Sequence, residues 1–263
     1  MPLIYTPRGR AREYSPRALN IYLSCTHGCE YCYAPSCRHQ TRERYFAKPW
    51  PRKDIAKKLW KELDQDSPKE QVLLSFIGDV YCETHDENRA TRECLEALYA
   101  HSVPVAILTK GGYRCLNDLA MFEKFGEHIM VGTTLTFDNP QDSFQWESGA
   151  ANPYERVDTL NRLHDCGIRT FASFEPVIDP EQSLNLMRVT AEEGCVDVYK
   201  VGKLNNYKGL DKNIDWTDFL GMAVEILRGN GREFYVKEDL RRCAPSIELF
   251  GDETVADAHT VRW

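Results

Sequence analysis

Two rhythms of apolar and polar residues alternate along the chain. Short runs of β-branched and aliphatic residues read as buried strands at Ala18–Ser24, Gln71–Ile77, Val103–Thr109, His128–Thr136, Ile168–Phe174 and Val196–Val201. Between them apolar residues return every three or four positions, as with Ile55, Leu59 and Leu63 in Lys53–Leu63, where lysines fill the other face. The same spacing predicts helices over Thr91–Tyr99, Leu116–Phe125, Pro153–Cys166 and Glu181–Glu193, the last two stopped by Gly167 and Gly194. Pro104 is tolerated near its strand's start, where a missing N–H costs least. Six strand-then-helix units with short connections predict an α/β fold with a parallel sheet under helices, and a partial (β/α)6 barrel fits that order best. Beyond about residue 210 the pattern gives a helix, Trp216–Leu227, a turn at 229–231 and a short strand, Glu233–Val236. The organisation expected is an N-terminal segment (1–17), a barrel (18–205) and a C-terminal helix and strand extension packed on it (206–263).

In a parallel barrel the loops that do chemistry gather where the strands end. Each strand here ends on polar residues: Cys25, Asp79, Lys110, Thr134 to Thr136, Glu175 and Lys203. Composition narrows the picture further. A chain of 263 residues, 42% hydrophobic and 28% charged, is an ordinary folded protein and neither a disordered chain nor a disulfide miniprotein. Lys and Arg number 33 against 40 Asp and Glu, a net charge of −7, which argues against a generic basic coat for nucleic acid. No window approaches the roughly 18 apolar residues of a spanning helix. The arginine- and proline-bearing N-terminus lacks the apolar core of a secretory signal, so a cytoplasmic protein with no membrane partner is expected.

Ten cysteines are many for such a protein, and their spacing decides their meaning. Seven are scattered. The other three form Cys25-Thr-His-Gly-Cys29-Glu-Tyr-Cys32, a C-x3-C-x2-C loop directly after the first strand. Three thiolates on one loop can hold three irons of a [4Fe–4S] cubane and leave the fourth open to a small molecule. The alternative is a zinc-stabilised nucleic-acid-binding module on the same cysteines, with His27 or Cys37 as fourth ligand. The acidic balance and the barrel-like alternation weigh against it.

The motif, with Tyr31 just before its third cysteine, resembles the signature of the radical S-adenosylmethionine (SAM) superfamily. That resemblance covers roughly residues 18 to 205. It implies a [4Fe–4S] cluster on Cys25, Cys29 and Cys32 that chelates SAM and cleaves it reductively to methionine and a 5′-deoxyadenosyl radical, which abstracts hydrogen from a substrate. An external one-electron donor such as a flavodoxin or ferredoxin is implied with it. Gly78-Asp79-Val80-Tyr81, Leu108-Thr109-Lys110, Thr134-Leu135-Thr136, Trp146-Glu147 and Pro153 through Arg156 together look like the spore photoproduct lyase branch. By that likeness Gly78 and Asp79 lie against the methionine amino group, Lys110 and Thr134 lie near its carboxylate or the ribose, and the Tyr31 backbone lies by the adenine. A carboxylate beside an ammonium and a lysine beside a carboxylate are the charge pairs that a zwitterion needs.

The likeness puts a nucleotide or nucleic acid first as substrate, with a departure. The lyase's hydrogen-donating cysteine would fall near Phe76, where cysteine is absent, so thymine-dimer reversal does not carry over. Cys82, three residues past Asp79, is the candidate for the same side of the cavity, and Tyr81 is the candidate tyrosine for relaying a hydrogen atom. An ordinary buried thiol and ring packing are the plain alternatives. Glu175 is either an acceptor for the SAM ribose or substrate, or a turn residue before Pro176. Glu147 and Arg156 read first as a structural ion pair, and Lys200 and Lys203 as phosphate or carboxylate contacts or as a solvated loop. A peptide-modifying radical enzyme is a further alternative, although the tail offers only Cys243 beyond Cys195 for a second cluster.

Overall fold

The computed structural model describes residues 2–84, 86–204, 207 and 213–263. Among these, β1 (Ile4–Tyr5), β2 (Arg17–Leu19), β3 (Val72–Leu74), β4 (Val105–Thr109), β5 (Ile129–Thr134), β6 (Arg169–Phe174), β7 (Val198–Val201) and β8 (Glu233–Val236) form one sheet in chain order. β1 is antiparallel to β2 and every later neighbour is parallel. The helices are α1 (Ala34–Cys37), α2 (Arg42–Ala47), α3 (Ile55–Leu63), α4 (Arg89–Ala100), α5 (Leu119–Phe125), α6 (Pro140–Trp146), α7 (Pro153–Asp165), α8 (Pro180–Glu193), α9 (Trp216–Gly229) and α10 (Glu238–Cys243). Asn152, Asp179 and Asp215 start α7, α8 and α9 by accepting hydrogen bonds from first-turn N–H groups.

The α/β partial barrel expected from the alternation is the one observed, with the six expected strands present as β2 to β7. Two are shorter than their apolar runs because Asn20 interrupts the ladder. Its Oδ1 accepts from the N–H of Phe76 and Ile77 at 3.0 and 2.9 Å, taking the place of backbone partners. The chain after it turns to pair with residues 50–52, with Arg52 N–H donating to Ile21 O at 2.9 Å. β1 escapes sequence reading because two residues carry no periodicity. The strand Glu233–Val236 joins the barrel sheet itself, pairing in parallel with β7 from Val198↔Glu233 to Val201↔Val236. The boundary expected at 205/206 lies outside the described residues.

Inward-facing Leu73, Ala106, Met130, Phe171 and Val198 fill the barrel together with Tyr14 and Val261. Val261 sits where the strands begin, its N–H donating to Gln71 Oε1 at 2.9 Å, so the C-terminal tail closes that end. The sheet does not close on itself, since β1 and β8 are its two ends. The N-terminal 3-10 turn Gly9–Glu13 lies against the β8 end. Glu13 Oε1 accepts from Tyr235 Oη and Glu238 N–H, each at 2.7 Å, and Lys237 Nζ donates to Arg10 O at 3.3 Å. Among the described residues no helix is long and apolar enough to cross a membrane.

Val261→Asp places an unpaired carboxylate on the barrel floor and should cost about 3 kcal/mol by chemical denaturation. A loss below about 0.5 kcal/mol, as for a surface position, would count against the tail as a plug. Lys200 supplies a pH test. It is buried, donates to Glu13 O and Tyr14 O at 3.1 Å each, and is pushed down to about 7 by desolvation first and by Lys237 second. Unfolded lysine titrates near 10.4, so between pH 7 and 10 the unfolded chain holds more protons at this group, and its contribution to stability rises with pH. Raising the pH from 7 to 9 should therefore improve the wild type relative to Lys200→Met in urea denaturation. A difference that stays flat with pH contradicts this.

Candidate active site

A cavity of about 470 Å³ opens at the ends of β3 to β6, walled on one side by the cysteine loop. Cys25 and Cys29 are buried, Cys32 is half-buried, and all three line it. The loop is held from outside by the Arg42 guanidinium, which donates to the carbonyls of Gly28, Cys29 and Glu30 at 3.3, 2.9 and 3.1 Å. From beneath it is held by His27, whose Nδ1 meets Gly149 O at 3.0 Å and whose Nε2 meets Asp79 Oδ2 at 2.9 Å. Gly78, at φ +74°, brings its backbone under the loop, where a Cβ would lie 2.5 Å from Ser24 O.

Asp79 accepts four hydrogen bonds. Its Oδ1 takes Tyr81 N–H at 2.8 Å and the Thr109 hydroxyl at 2.7 Å; its Oδ2 takes Lys110 N–H at 2.6 Å and His27. That uses the whole acceptor capacity of a carboxylate. Desolvation opposes its charge, yet His27 and these donors hold it well below the usual carboxylate range. Burial pushes all three cysteine thiols up.

A second buried group backs the loop. Tyr31 donates its hydroxyl to Glu147, and Arg156 Nη2 lies 2.5 Å from Glu147 Oε2. Arg156 also donates to Ala151 O and Thr134 O at 2.7 and 3.0 Å, so its fork ties α7 to the end of β5. Lys110 Nζ stands 3.9 Å from Glu147 Oε1 and 5.5 Å from the centre of the Tyr31 ring. A third group lies across the cavity, where Glu175 Oε2 accepts from Tyr14 Oη at 2.8 Å and Lys237 Nζ at 2.5 Å.

Of the residues singled out in the sequence, Cys25, Cys29, Cys32, Tyr31, Gly78, Asp79, Lys110, Thr134 and Glu175 are brought to this one cavity. Tyr81 and Cys82 do not line it. The Tyr81 hydroxyl points into the core and donates to Asp118 Oδ2 at 2.9 Å, edge-on to Phe122. Cys82 is fully buried and packs with Cys25 in one cluster, while Asn88 donates to its carbonyl at 3.0 Å. Lys203 lines the cavity, and Lys200 is buried beside Tyr14. Glu147 and Arg156 make the buried pair expected of them.

Sequence reasoning does not find Lys237 or the pairing of Tyr14 with Glu175, and it offers His27 only as a fourth ligand in the zinc alternative. Only His27 carried a signal, its place inside the motif. Its two ring nitrogens are both engaged, and Cys37 is exposed on α1, which removes the fourth ligands that a zinc site would recruit. Among the described residues no three His, Cys, Asp or Glu side chains gather as a single ion requires.

Removing one partner of the Glu147–Arg156 pair leaves a buried charge unmatched. Glu147→Ala should lower stability by about 3–5 kcal/mol, and Glu147→Gln, which retains the acceptor toward Tyr31, should lower it less. Denaturation curves that rank the two equally, or that move by under about 1 kcal/mol, would refute this role.

No family model matches the sequence. An uncharacterised protein of Methanocaldococcus jannaschii is 28% identical over 163 residues, 61% of this chain and 60% of the relative. An uncharacterised protein of Mycobacterium tuberculosis is 25% identical over 171 residues, 61% of this chain and 49% of the relative. The match thus spans less than two thirds of either relative's length. Among solved structures, a tyrosine-to-phenylalanine mutant of spore photoproduct lyase superposes with TM-score 0.63 and 11% identity, over 84% of this chain and 76% of that one. Another mutant of that lyase, with AdoMet and dinucleoside spore photoproduct bound, gives 0.57 and 13% over 81% and 61%. Streptococcus suis SuiB bound to S-adenosylmethionine gives 0.56 and 14% over 89% and 53%. The chain has the fold of spore photoproduct lyase, the branch that its motifs resemble.

Proposed function

We propose that the chain is a radical SAM enzyme, with a [4Fe–4S] cluster held by Cys25, Cys29 and Cys32 and SAM seated in the adjoining cavity. One observation carries the reading: three thiols from a single loop face the cavity that also collects Gly78, Asp79, Lys110 and Thr134 at the strand ends. When bound, the cluster and SAM supply a reductive cleavage that yields methionine and a 5′-deoxyadenosyl radical. The protein's part is to bind, orient and exclude water. Lys110, held between Glu147 and the Tyr31 ring, offers an ammonium to a ligand carboxylate. Thr134 offers a hydroxyl beside it. Asp79 contributes negative charge to the wall for an ammonium while its lone pairs hold His27, Thr109 and Lys110 in place. Tyr31, its hydroxyl tied to Glu147, presents a fixed backbone to an adenine.

The far wall is the substrate side in this reading. Arg8, Arg10, Lys203 and Lys237 line it with Glu175, four cations to one acid, although Lys237 pairs with Glu175 and Arg10 with Asp239 at 3.1 Å. That charge suits a phosphate-bearing substrate, so a nucleotide or nucleic acid stands first. A cysteine donating hydrogen as in the lyase is not part of the proposal, because Cys82 is fully buried and does not line the cavity.

Reconstituted anaerobically with iron and sulfide, the protein should bind about four irons per chain and, on reduction with dithionite, convert SAM to 5′-deoxyadenosine and methionine. Cys29→Ala should abolish both the visible absorbance of the cluster and the cleavage. Stoichiometric zinc with no SAM cleavage by the wild type would overturn the proposal.

A further inference from the structure

Among the described residues three buried side-chain atoms have no hydrogen-bond partner in the protein: Tyr45 Oη, Arg114 Nη2 and Arg241 Nε. The two arginines are engaged elsewhere, Arg114 through Nε to Tyr81 O at 2.8 Å and Arg241 over the Tyr235 ring at 5.9 Å. Tyr45 has a single polar side-chain atom and no second use for it. The side chain is fully buried, lines the cavity, and packs in one cluster with Cys25 and Cys32. Burial pushes its hydroxyl up first and Cys32 and Cys25 come next, as expected of a phenol set beside two sulfurs. The Gly78 N–H also acts on the oxygen, but as a donor, so it offers nothing to the hydroxyl proton. A buried phenol whose proton meets no acceptor costs free energy that a phenylalanine in the same place would not.

The helix that carries Tyr45 is fixed on the cysteine loop. Arg42, three positions earlier in α2, donates to the carbonyls of Gly28, Cys29 and Glu30, and Ser24 donates to Lys48 O at 3.0 Å just past the last turn. Residues three apart share a helix face, so the guanidinium that grips the loop and the phenol that meets its thiols come from one surface. Phe46 stands edge-on to the Tyr45 ring at 5.0 Å and narrows its freedom further.

We propose that the Tyr45 hydroxyl donates a hydrogen bond to a sulfur of the cluster on the side of Cys25 and Cys32, and so raises the cluster's reduction potential. The inference rests on the radical SAM reading. Hydrogen bonds to the sulfurs of an iron–sulfur cluster are among the factors that set its potential, and groups around the ligands tune the metal. Reduction adds one negative charge in which the sulfurs share, so a donor at one of them stabilises the reduced form more than the oxidised one. No proton moves, and no bond on this chain forms or breaks. Cations in the same stretch act in the same sense, since residues 38–53 carry Arg38, Arg42, Arg44, Lys48, Arg52 and Lys53 against Glu43. Removing one hydroxyl leaves those charges as they are, which makes the share of the phenol separable from theirs.

The test uses the full chain, reconstituted with iron and sulfide without SAM, poised at a series of applied potentials and read by the electron paramagnetic resonance of the reduced cluster. Tyr45→Phe should lower the ratio of reduced to oxidised cluster at a given potential at least about threefold, a shift of about 28 mV at about 59 mV per tenfold change. Tyr45→4-aminophenylalanine, which restores a donor at the same place, should return the ratio to within about twofold of the wild type. Tyr199→Phe should stay within that range too, because it removes a buried hydroxyl that meets Thr190 Oγ1 at 3.2 Å, between β7 and α8. In the metal-free chain the two phenylalanine variants should part. Tyr199→Phe loses a hydrogen bond and unfolds at lower urea, whereas Tyr45→Phe loses no protein partner and unfolds at the wild-type concentration or above it. A ratio in Tyr45→Phe that falls less than threefold overturns the proposal, as does a fall that 4-aminophenylalanine does not reverse or that Tyr199→Phe reproduces. Metal-free Tyr45→Phe as destabilised as Tyr199→Phe overturns it as well, since the hydroxyl then has its partner within the protein. An unchanged ratio with weakened SAM binding gives the hydroxyl to SAM and overturns it likewise. A wild type that assembles no cluster defeats the radical SAM reading and the proposal with it, whereas a cluster of unchanged potential defeats the proposal alone.

Discussion

The buried pair of His27 and Asp79 is the contact on which the rest of the site depends. It joins the cysteine loop to the ends of β3 and β4 through one carboxylate that answers His27, Thr109, and the backbone of Lys110 and Tyr81. A charge taken out of water is tolerated only when its partners replace the lost solvation, and here every acceptor site is filled. Two things follow for function. The loop carrying the thiols cannot tilt without breaking the pair, so the His27–Asp79 contact fixes where the three sulfurs stand. The Lys110 side chain starts from a backbone fixed by the same carboxylate, which places its ammonium over the Tyr31 ring and toward Glu147.

The opposite wall follows a different logic. Tyr14 reaches across the barrel from the chain just ahead of β2 to the end of β6, where Glu175 and Ser173 meet its hydroxyl, and Lys237 completes the group from the end of β8. An open sheet would leave this side exposed. The N-terminal turn fills it with Arg8 and Arg10, so the part of the molecule that repairs an incomplete barrel also supplies charge to the cavity. Structural closure and the charge of the cavity wall are thus assigned to the same few residues. By the same reasoning the tail plugs the floor with Val261 and leaves the strand ends as the way in.

How much of this the sequence foretold depends on whether a feature is local. The six barrel strands were legible because each is a run of apolar residues bounded by polar ones, and the cysteine loop because C-x3-C-x2-C is a spacing. The residues at the strand ends were legible for the same reason, and Cys25, Asp79, Lys110, Thr134, Glu175 and Lys203 meet in one cavity. What was hidden is long-range. Tyr14 and Glu175 are 161 positions apart, and Lys237 and Glu175 are 62. Tyr81 and Cys82 were drawn toward the cavity by their nearness to Asp79. The turn that lets Tyr81 N–H and Lys110 N–H share one carboxylate sends Tyr81 to Asp118 and Cys82 into the cluster it shares with Cys25. The shortening of β2 and β3 has the same character, since it is the side chain of Asn20, not any periodicity, that ends the ladder.

Charge distribution connects these observations. A total of −7 looks unsuited to phosphate, yet the averages conceal two basic surfaces, one inside the cavity on the far wall and one outside the cysteine loop. A uniformly basic protein would bind polyanions everywhere. Embedding two confined basic surfaces in an acidic body repels anionic partners from every other approach. Tyr45 and Phe46 of the segment 38–53 line the same cavity as Arg8, Arg10, Lys203 and Lys237, so the basic stretch and the far wall border one space. The acidic remainder sets off two local clusters of cations against a chain whose total is −7.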